Sequence, residues 1–205
     1  MRIGKTALAL AVAGAVAGSI GFTPRAHAFL DDILTAPKTL IDRAIEARSS
    51  KDIIKDNEIV IDVNAIMVDM ETIKASTEIY EQRLLVTGMF DDQAMYDEFR
   101  ARVEKVEGVK ELYWHVHYMS EEEQEARDDE LLDWTDALAL DAKVGVGLIG
   151  TAGVADVNMR VATDAFATVY LIGRARSEEE LKKALTVARE TEGTREVVNY
   201  IEVRP

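Results

Sequence analysis

The sequence contains no cysteine, only three prolines and only three histidines. Without cysteine the chain can form no disulfide and has no thiol nucleophile, so its stability must come from packed cores alone. The sequence also lacks the Gly-x-Ser-x-Gly motif of the α/β-hydrolases. These absences exclude a disulfide-stabilised scaffold and the hydrolases that use such nucleophiles. We predict that the chain is not an enzyme and needs no cofactor.

Basic residues are scarce as well, because 24 Lys and Arg stand against 38 Asp and Glu, giving a net charge of −14. Binding to nucleic acid depends on neutralising phosphates with Lys and Arg, so we expect no nucleic-acid partner. The densest acidic stretch, residues 120–133, carries eight carboxylates against Arg127 alone. This pattern is typical of a solvated helical linker.

Residues 1–28 have the three parts of a secretory signal peptide. Arg2 and Lys5 give a positive start, residues 7–20 are uncharged, and Ala26-His27-Ala28 is a small-x-small cleavage site. The apolar stretch is shorter than the roughly 20 residues that span a bilayer, which argues against a membrane anchor. We therefore expect export, cleavage after Ala28, and a soluble periplasmic protein whose net charge, without three basic residues, is −17.

The rest of the chain repeats itself at an offset of 85 residues, which relates Gly88 to Gly173 and Gly108 to Gly193. Each copy reads as helix, two strands, helix, strand. The predicted fold class is α+β, with two tandem αββαβ domains, each a small three-stranded mixed sheet with two helices on one face. We interpret the four glycines as structural residues at tight turns or close strand approaches.

The predicted boundaries follow from these repeats. An N-terminal amphipathic helix occupies residues 29–50, the first domain residues 51–119, the acidic linker 120–133 and the second domain 134–205. In the first domain we predict a helix from about Ser50, as its N-cap, to Met70. The β-branched residues 59–61 leave a strand there as an alternative. We further predict a hairpin turn at Glu81-Gln82.

Two helix ends are also predicted from local signals. Glu107-Gly108 should end the second helix of the first domain, because glycine is common just past a helix. Ser177 and Glu180 have the spacing of a capping box at the start of the equivalent helix in the second domain.

The ordered landmarks resemble the BON domain family. The match rests on Asp56, Ile59, Val63, Leu85-Val86-Thr87-Gly88 and Gly108-Val109, and in the second copy on Lys143-Val144, Leu148, Leu171-Ile172-Gly173 and Gly193. The second copy departs from the family at Ile172 and Thr194, where Thr and Val are usual. The resemblance covers about residues 52–118 and 137–203. It implies an exported protein linked to envelope integrity and osmotic stress, proposed phospholipid binding, and no established catalysis.

Two functions therefore remain open. The first is a binding or scaffold protein that contacts an envelope protein through its sheet faces and acidic linker. The second is a module that associates with a phospholipid membrane surface through its second domain. The sequence makes no prediction of the oligomeric state.

For the second function we predict a lipid contact formed by Trp134, Lys143, Leu148 and Ile149, on what should be the least acidic surface of the mature protein. Tryptophan favours water–lipid interfaces, although Trp134 as a core or domain-interface residue is the alternative. The first domain should offer no equivalent surface, because Asp56, Asn57, Glu58 and Asp62 crowd its first helix.

Two further patterns resemble ligand sites but lack the context that such sites require. Gly145-x-Gly147-x-x-Gly150 matches a dinucleotide-binding fingerprint, but a helical pattern rather than a strand precedes it. His115 and His117 share one face of a predicted strand, yet two ligands do not complete a zinc site. We predict neither a nucleotide site nor a metal site.

Overall fold

The computed structural model describes residues 46–72 and 74–205. The predicted signal peptide and most of the predicted helix over residues 29–50 lie outside the described residues. The elements of the first domain are α1 (Ser50–Asp69), β1 (Ala75–Tyr80), β2 (Arg83–Phe90), α2 (Gln93–Val103) and β3 (Glu111–Tyr118). Then come α3 (Glu121–Ala126), α4 (Trp134–Gly150), β4 (Met159–Thr163), β5 (Thr168–Ala175), α5 (Glu178–Glu190) and β6 (Glu196–Val203), with short 3₁₀ turns at Asp128–Glu130 and Asp156–Asn158.

The two sheets have the same topology. In each, the first two strands are antiparallel and the third pairs in parallel with the second, giving the orders β1-β2-β3 and β4-β5-β6. The helices α1 and α2 pack on one face of the first sheet, and α4 and α5 on one face of the second. The predicted α+β fold class with two αββαβ units is confirmed.

The first helix α1 forms although Ile59-Val60-Ile61 is β-branched. Its three-and-four spacing buries Ile59 and Val63 against the sheet, and this tertiary packing overrides the local preference for a strand. The N-cap is Ser49, one residue before the predicted Ser50, because the Ser49 hydroxyl accepts a hydrogen bond from the Asp52 backbone N–H.

The predicted hairpin turn at Glu81-Gln82 is confirmed. Both residues have left-handed backbones, with φ of 53° and 65°, as a two-residue hairpin turn requires. The buried Asp56 carboxylate of α1 accepts the backbone N–H groups of Glu81 and Gln82 at 2.9 and 2.7 Å. A side chain of the helix thus holds the turn in a conformation that residues other than glycine rarely adopt.

The four repeat-related glycines serve two different structural purposes. Gly108 and Gly193 lie in turns with φ of +87° and +103°, which confirms the turn interpretation for them. Gly88 and Gly173 lie inside β2 and β5, where they fill the other predicted role, a close strand approach, rather than a turn. A Cβ at Gly88 would lie 2.4 Å from the Lys74 carbonyl oxygen, so these two glycines permit a close approach of neighbouring strands.

Two predicted helix ends differ from the structure. The helix α2 ends at Val103 rather than at Glu107-Gly108, because its last turn tightens through hydrogen bonds from Lys105 and Val106 to carbonyls three residues earlier. At α5, only half of the predicted capping box forms.

The Ser177 hydroxyl accepts the backbone N–H of Glu180 at that helix start. The Glu180 carboxylate, however, accepts the backbone N–H groups of Ala155 and Arg176, both at 2.7 Å, instead of that of Ser177. It is buried and ties the loop after α4 to α5, which explains the departure from the capping-box geometry.

Candidate functional site

The sheet faces that carry no helices pack against each other. Their contact is a third hydrophobic cluster, formed by Tyr80, Leu85, Ala162, Tyr170 and Ile172, with Tyr113, Val198 and Tyr200 partly buried around it. The Tyr113 and Tyr200 rings stack with centroids 3.9 Å apart. The sheet faces are therefore occupied by each other, and the predicted use of sheet faces for an external partner is wrong.

Arg83 fixes the two sheets at the edge of this contact. Its guanidinium donates to the backbone oxygens of Tyr200 at 2.8 Å and Gly173 at 2.7 Å. It also lies 3.4 Å from a carboxylate oxygen of Glu202. Hydrogen bonds from a charged donor to buried carbonyls are among the stronger ones, so Arg83 stabilises this arrangement of the domains.

The two histidines of β3 lie in the same contact but meet different neighbours. The His115 Nε2 atom is 2.8 Å from the Tyr200 hydroxyl, and burial lowers the pKa of the His115 imidazole. His117 lies 3.6 Å from the buried Asp164 carboxylate. Within the part of the chain that the structure describes, no three His, Asp or Glu side chains form a group that could hold a metal ion.

The glycine motif at residues 145–150 lies within the last turns of α4. It therefore does not form the loop between a strand and a helix that binds a pyrophosphate. A Cβ at Gly147 would lie 2.7 Å from a methyl carbon of Val187, which shows that this glycine allows α4 and α5 to pack closely. Gly145 has no neighbouring atom within 4 Å of its Cβ position.

Two carboxyl groups near the domain contact have strongly raised pKa values. Burial raises the pKa of Glu78 to about 8, although Arg160 acts in the opposite direction. Burial also raises the pKa of Asp141 to about 7, partly offset by a 2.5 Å hydrogen bond from the Thr163 hydroxyl. Both groups are favoured in their protonated forms within the folded protein.

The free energy of unfolding should therefore fall as the pH rises from about 6.5 to 9. The stabilisation from a raised carboxyl pKa is complete below the ordinary value near 4.5 and is lost as the pH passes the folded value, about 8 for Glu78. His115 should not contribute to this loss between pH 6.5 and 9, because its pKa is lowered from the ordinary value of 6.5 and it changes stability only at lower pH.

Urea unfolding at pH 6.5 and 9 measures this loss. Glu78→Gln, which cannot ionise, should flatten it, and the exposed Glu121→Gln should not. An equally steep loss in Glu78→Gln would show that another group is responsible.

The residues predicted to touch lipid are only partly available on α4. Lys143 is exposed, while Trp134 and Ile149 are half-buried. Leu148 is only 2% exposed and packs in the second core with Leu140 and Val144. The prediction that Leu148 contacts lipid is therefore wrong. Leu148 lies one helical turn after Val144, so it is on the face of α4 that meets the sheet.

The apolar side chains that α4 does expose were not predicted. Leu138 is 42% and Val146 is 47% exposed. The only carboxylate between Leu138 and Gly150 is Asp141, which is half-buried against Thr163. Between Leu138 and Gly150 the outward face of α4 is thus apolar and bordered by Lys143, while the exposed Asp136 lies two residues before Leu138.

The helix α1 of the first domain also exposes apolar side chains. Ile54, Ile61 and Val68 are 58%, 65% and 77% exposed. That any lipid contact belongs to the second domain stays a prediction, but the first domain does expose an apolar surface of its own. Asp56 turns inward to the hairpin, and Glu58 and Asp62 lie beside the apolar side chains rather than over them.

Comparisons with known proteins cover the second domain best. The family model described as "BON domain" matches residues 137–205, so a BON domain forms the second half of the fold. No curated protein matches the chain. Two matching solved structures are of CdsD, a structural protein of the type III secretion system of Chlamydia trachomatis, one of them its C-terminal domain.

Each of the two is 11% identical, covers 72% of this chain and 93% or 98% of the other, and has a TM-score of 0.28 or 0.29. TM-scores this low carry no inference about function. A search of residues 46–72 and 74–205 for a helix long and apolar enough to cross a membrane finds none.

Proposed function

We propose that this chain is an exported, non-enzymatic binding protein of the periplasm, with a role in envelope integrity or osmotic stress. The observation that carries this proposal is the mutual burial of the two sheet faces. Because the sheets cover each other, a partner must bind the outer surfaces of the domains. The strongly exposed large apolar side chains of the described residues lie on α1 and α4, with Tyr118 at the end of β3 as the exception.

Export itself is tested by cell fractionation with N-terminal sequencing of the mature protein. We expect the protein in the periplasmic fraction with Phe29 as its first residue, because cleavage should follow the small-x-small site at Ala26-His27-Ala28. Cytoplasmic protein that still begins with Met1 would contradict the proposal.

A phospholipid surface is the second candidate partner, and the outward face of α4 supports it. Leu138 and Val146 could enter the apolar edge of a membrane, while Lys143 beside them could meet anionic headgroups. With a net charge of −17 after cleavage, such contact has to be local, and charge repulsion from the rest of the surface is screened beyond about 8 Å at physiological salt.

Replacing Leu138 and Val146 together with glutamate should weaken binding to vesicles of phosphatidylethanolamine and phosphatidylglycerol at least about tenfold. Burial of each such side chain is worth about 1.5–3 kcal/mol, and about 1.4 kcal/mol corresponds to a factor of ten. Vesicle flotation measures the change. The control Ala94→Glu with Ala101→Glu places the same two charges at exposed sites on α2.

If the double variant still floats with the vesicles, α4 is not the lipid contact. If the unaltered protein does not float but captures an envelope protein through Leu138 and Val146, the protein partner is the correct choice.

A further inference from the structure

The exposed apolar side chains of α1 follow a heptad rather than a broad face. Ile54, Ile61 and Val68 are spaced seven residues apart, and the exposed Ala65 lies between the last two. They occupy the side of α1 opposite Ile59 and Val63, which pack on the sheet. The three side chains correspond to the a positions of a heptad, with Asn57 and Asn64 at the d positions, so the seam offers one apolar residue per two turns to a second helix.

The charges beside this seam change sign along the helix. Lys51 and Lys55 border its N-terminal half. Glu58, Asp62 and Asp69 follow on the same side from the middle of the helix onward, and Glu71 comes just after the C-cap Met70. Asp69 also pairs with Arg102 of α2 at 2.8 Å, which holds its carboxylate at the helix end.

We propose that the α1 seam docks a second copy of this chain, with the two α1 helices antiparallel about a two-fold axis near Ile61. This arrangement places Ile61 against its counterpart and Ile54 beside Val68 of the second copy. It also brings the two lysines opposite Asp69 and Glu71 of the second copy. A parallel arrangement would instead place lysine beside lysine and aspartate beside aspartate.

A second copy fits this seam better than a membrane does. Glu58 and Asp62 lie along the seam, and carboxylates at that position would meet anionic headgroups unfavourably. A closed two-fold contact presents the same patch on both copies, and the two ends of α1 are complementary in charge across it, whereas Asp62 lies beside its own counterpart near the axis, exposed to solvent that screens the repulsion. The inference rests on α1 alone and is independent of the lipid or protein partner proposed for α4.

The absence of cysteine allows a direct test, because any introduced cysteine is the only thiol in the chain. Ile54 and Val68 are 14 residues apart, or about 21 Å along the helix. Disulfide formation needs Cα atoms within about 7 Å. An antiparallel pair therefore brings Ile61 to its own counterpart but keeps two copies of position 54, or of position 68, far apart.

The experiment uses the mature chain as cells accumulate it, under mild oxidation. We expect Ile61→Cys alone to form a disulfide-linked dimer. Ile54→Cys alone and Val68→Cys alone should form no disulfide between copies, while a mixture of these two should cross-link. The control is Val146→Cys, which lies at the equivalent position of α4, is also exposed, and should not cross-link.

Efficient cross-linking of Ile54→Cys and of Val68→Cys each alone would show a parallel pair and overturn the proposal. So would an Ile61→Cys variant that links no faster than Val146→Cys, because the seam would then have another occupant or none.

Sedimentation equilibrium provides the second measurement. The unaltered protein should dimerise, and Ile61→Glu should raise the dissociation constant at least tenfold with unchanged circular dichroism, while Val146→Glu should leave it unchanged. A monomer at all concentrations, or dimers insensitive to Ile61→Glu, would overturn the proposal. The proposal would also be overturned if Ile61→Glu lost vesicle binding but still formed dimers.

Discussion

Replacing Gly173 with alanine should lower the free energy of unfolding by about 3 kcal/mol or more, at the upper end of single substitutions. The new Cβ would lie 2.1 Å from the Asn158 backbone oxygen and 2.9 Å from the Met159 Cα. The φ of 152° at Gly173 is also a backbone conformation that alanine rarely adopts. Backbone atoms cannot move aside as a flexible side chain can, so β4 and β5 must separate. Chemical denaturation followed by circular dichroism measures the loss.

The matched control is Gly145→Ala in α4. No atom lies within 4 Å of its Cβ position, and the residue lies inside the helix. Alanine is there expected to stabilise the protein by about 0.5–1 kcal/mol, because glycine has the greater freedom in the unfolded chain. Equal effects of the two substitutions would show that helix and strand preferences, rather than the close strand approach, set the stability at Gly173.

Asp56→Asn should destabilise the protein by about 3 kcal/mol, within the range for removing one partner of a buried ionic contact. The two Asp56 carboxylate oxygens accept four hydrogen bonds, from Arg48, the Glu81 N–H, the Gln82 N–H and the Gln82 side chain, at 2.7–3.0 Å. An asparagine offers one acceptor oxygen and turns its NH₂ toward two donors. The strained hairpin turn at Glu81-Gln82 then loses its support.

Asp141→Asn is the control at the equivalent position of the second domain. Asp141 accepts one hydrogen bond, from the Thr163 hydroxyl. The turn between β4 and β5 is held instead by Asp164, whose carboxylate accepts the backbone N–H groups of Phe166 and Thr168. Burial raises the pKa of Asp141 to about 7. Asparagine should therefore be close to neutral at pH 4 and stabilising at pH 8.5, because the unfolded aspartate ionises from about pH 3.8 whereas the folded one stays protonated up to about pH 7. Denaturation at both pH values checks this, and equal losses in Asp56→Asn and Asp141→Asn would contradict the assigned roles.

The repeat was sufficient to predict the αββαβ order, because glycines that permit turns or close strand approaches recur with one spacing. It was not sufficient to predict helix ends. Ser49 rather than Ser50 caps α1, and the loop before Gly108 belongs to no helix, because caps depend on backbone geometry that neighbouring serines or glycines satisfy equally well.

The sequence does indicate that the middle strands are covered on both faces, although a strict alternation of apolar and polar residues does not describe them. Leu84-Leu85-Val86 in β2 and Val169-Tyr170-Leu171-Ile172 in β5 are apolar on both faces, which is typical of strands covered on both sides. One face of each meets helices, and the other meets the partner sheet. Which surface covers the second face is a tertiary property that no local pattern specifies.

The outward surfaces were mispredicted for a related reason. The number of carboxylates along α1 does not say where each one points, and Asp56 points inward rather than to solvent. On α4, Leu148 likewise points inward, whereas Val146, two residues earlier, is exposed. Assigning each residue its angle about the helix axis, at 3.6 residues per turn, would have separated the faces.

The central claim is that the two sheets cover each other and leave the helices as the binding surfaces. The most direct test is nuclear Overhauser contact in solution between the rings of Tyr113 and Tyr200, whose centroids lie 3.9 Å apart across the two domains. We predict strong cross-peaks between their ring protons. Both rings assigned, with no cross-peak between them, would show that the sheets do not pack and would contradict the account.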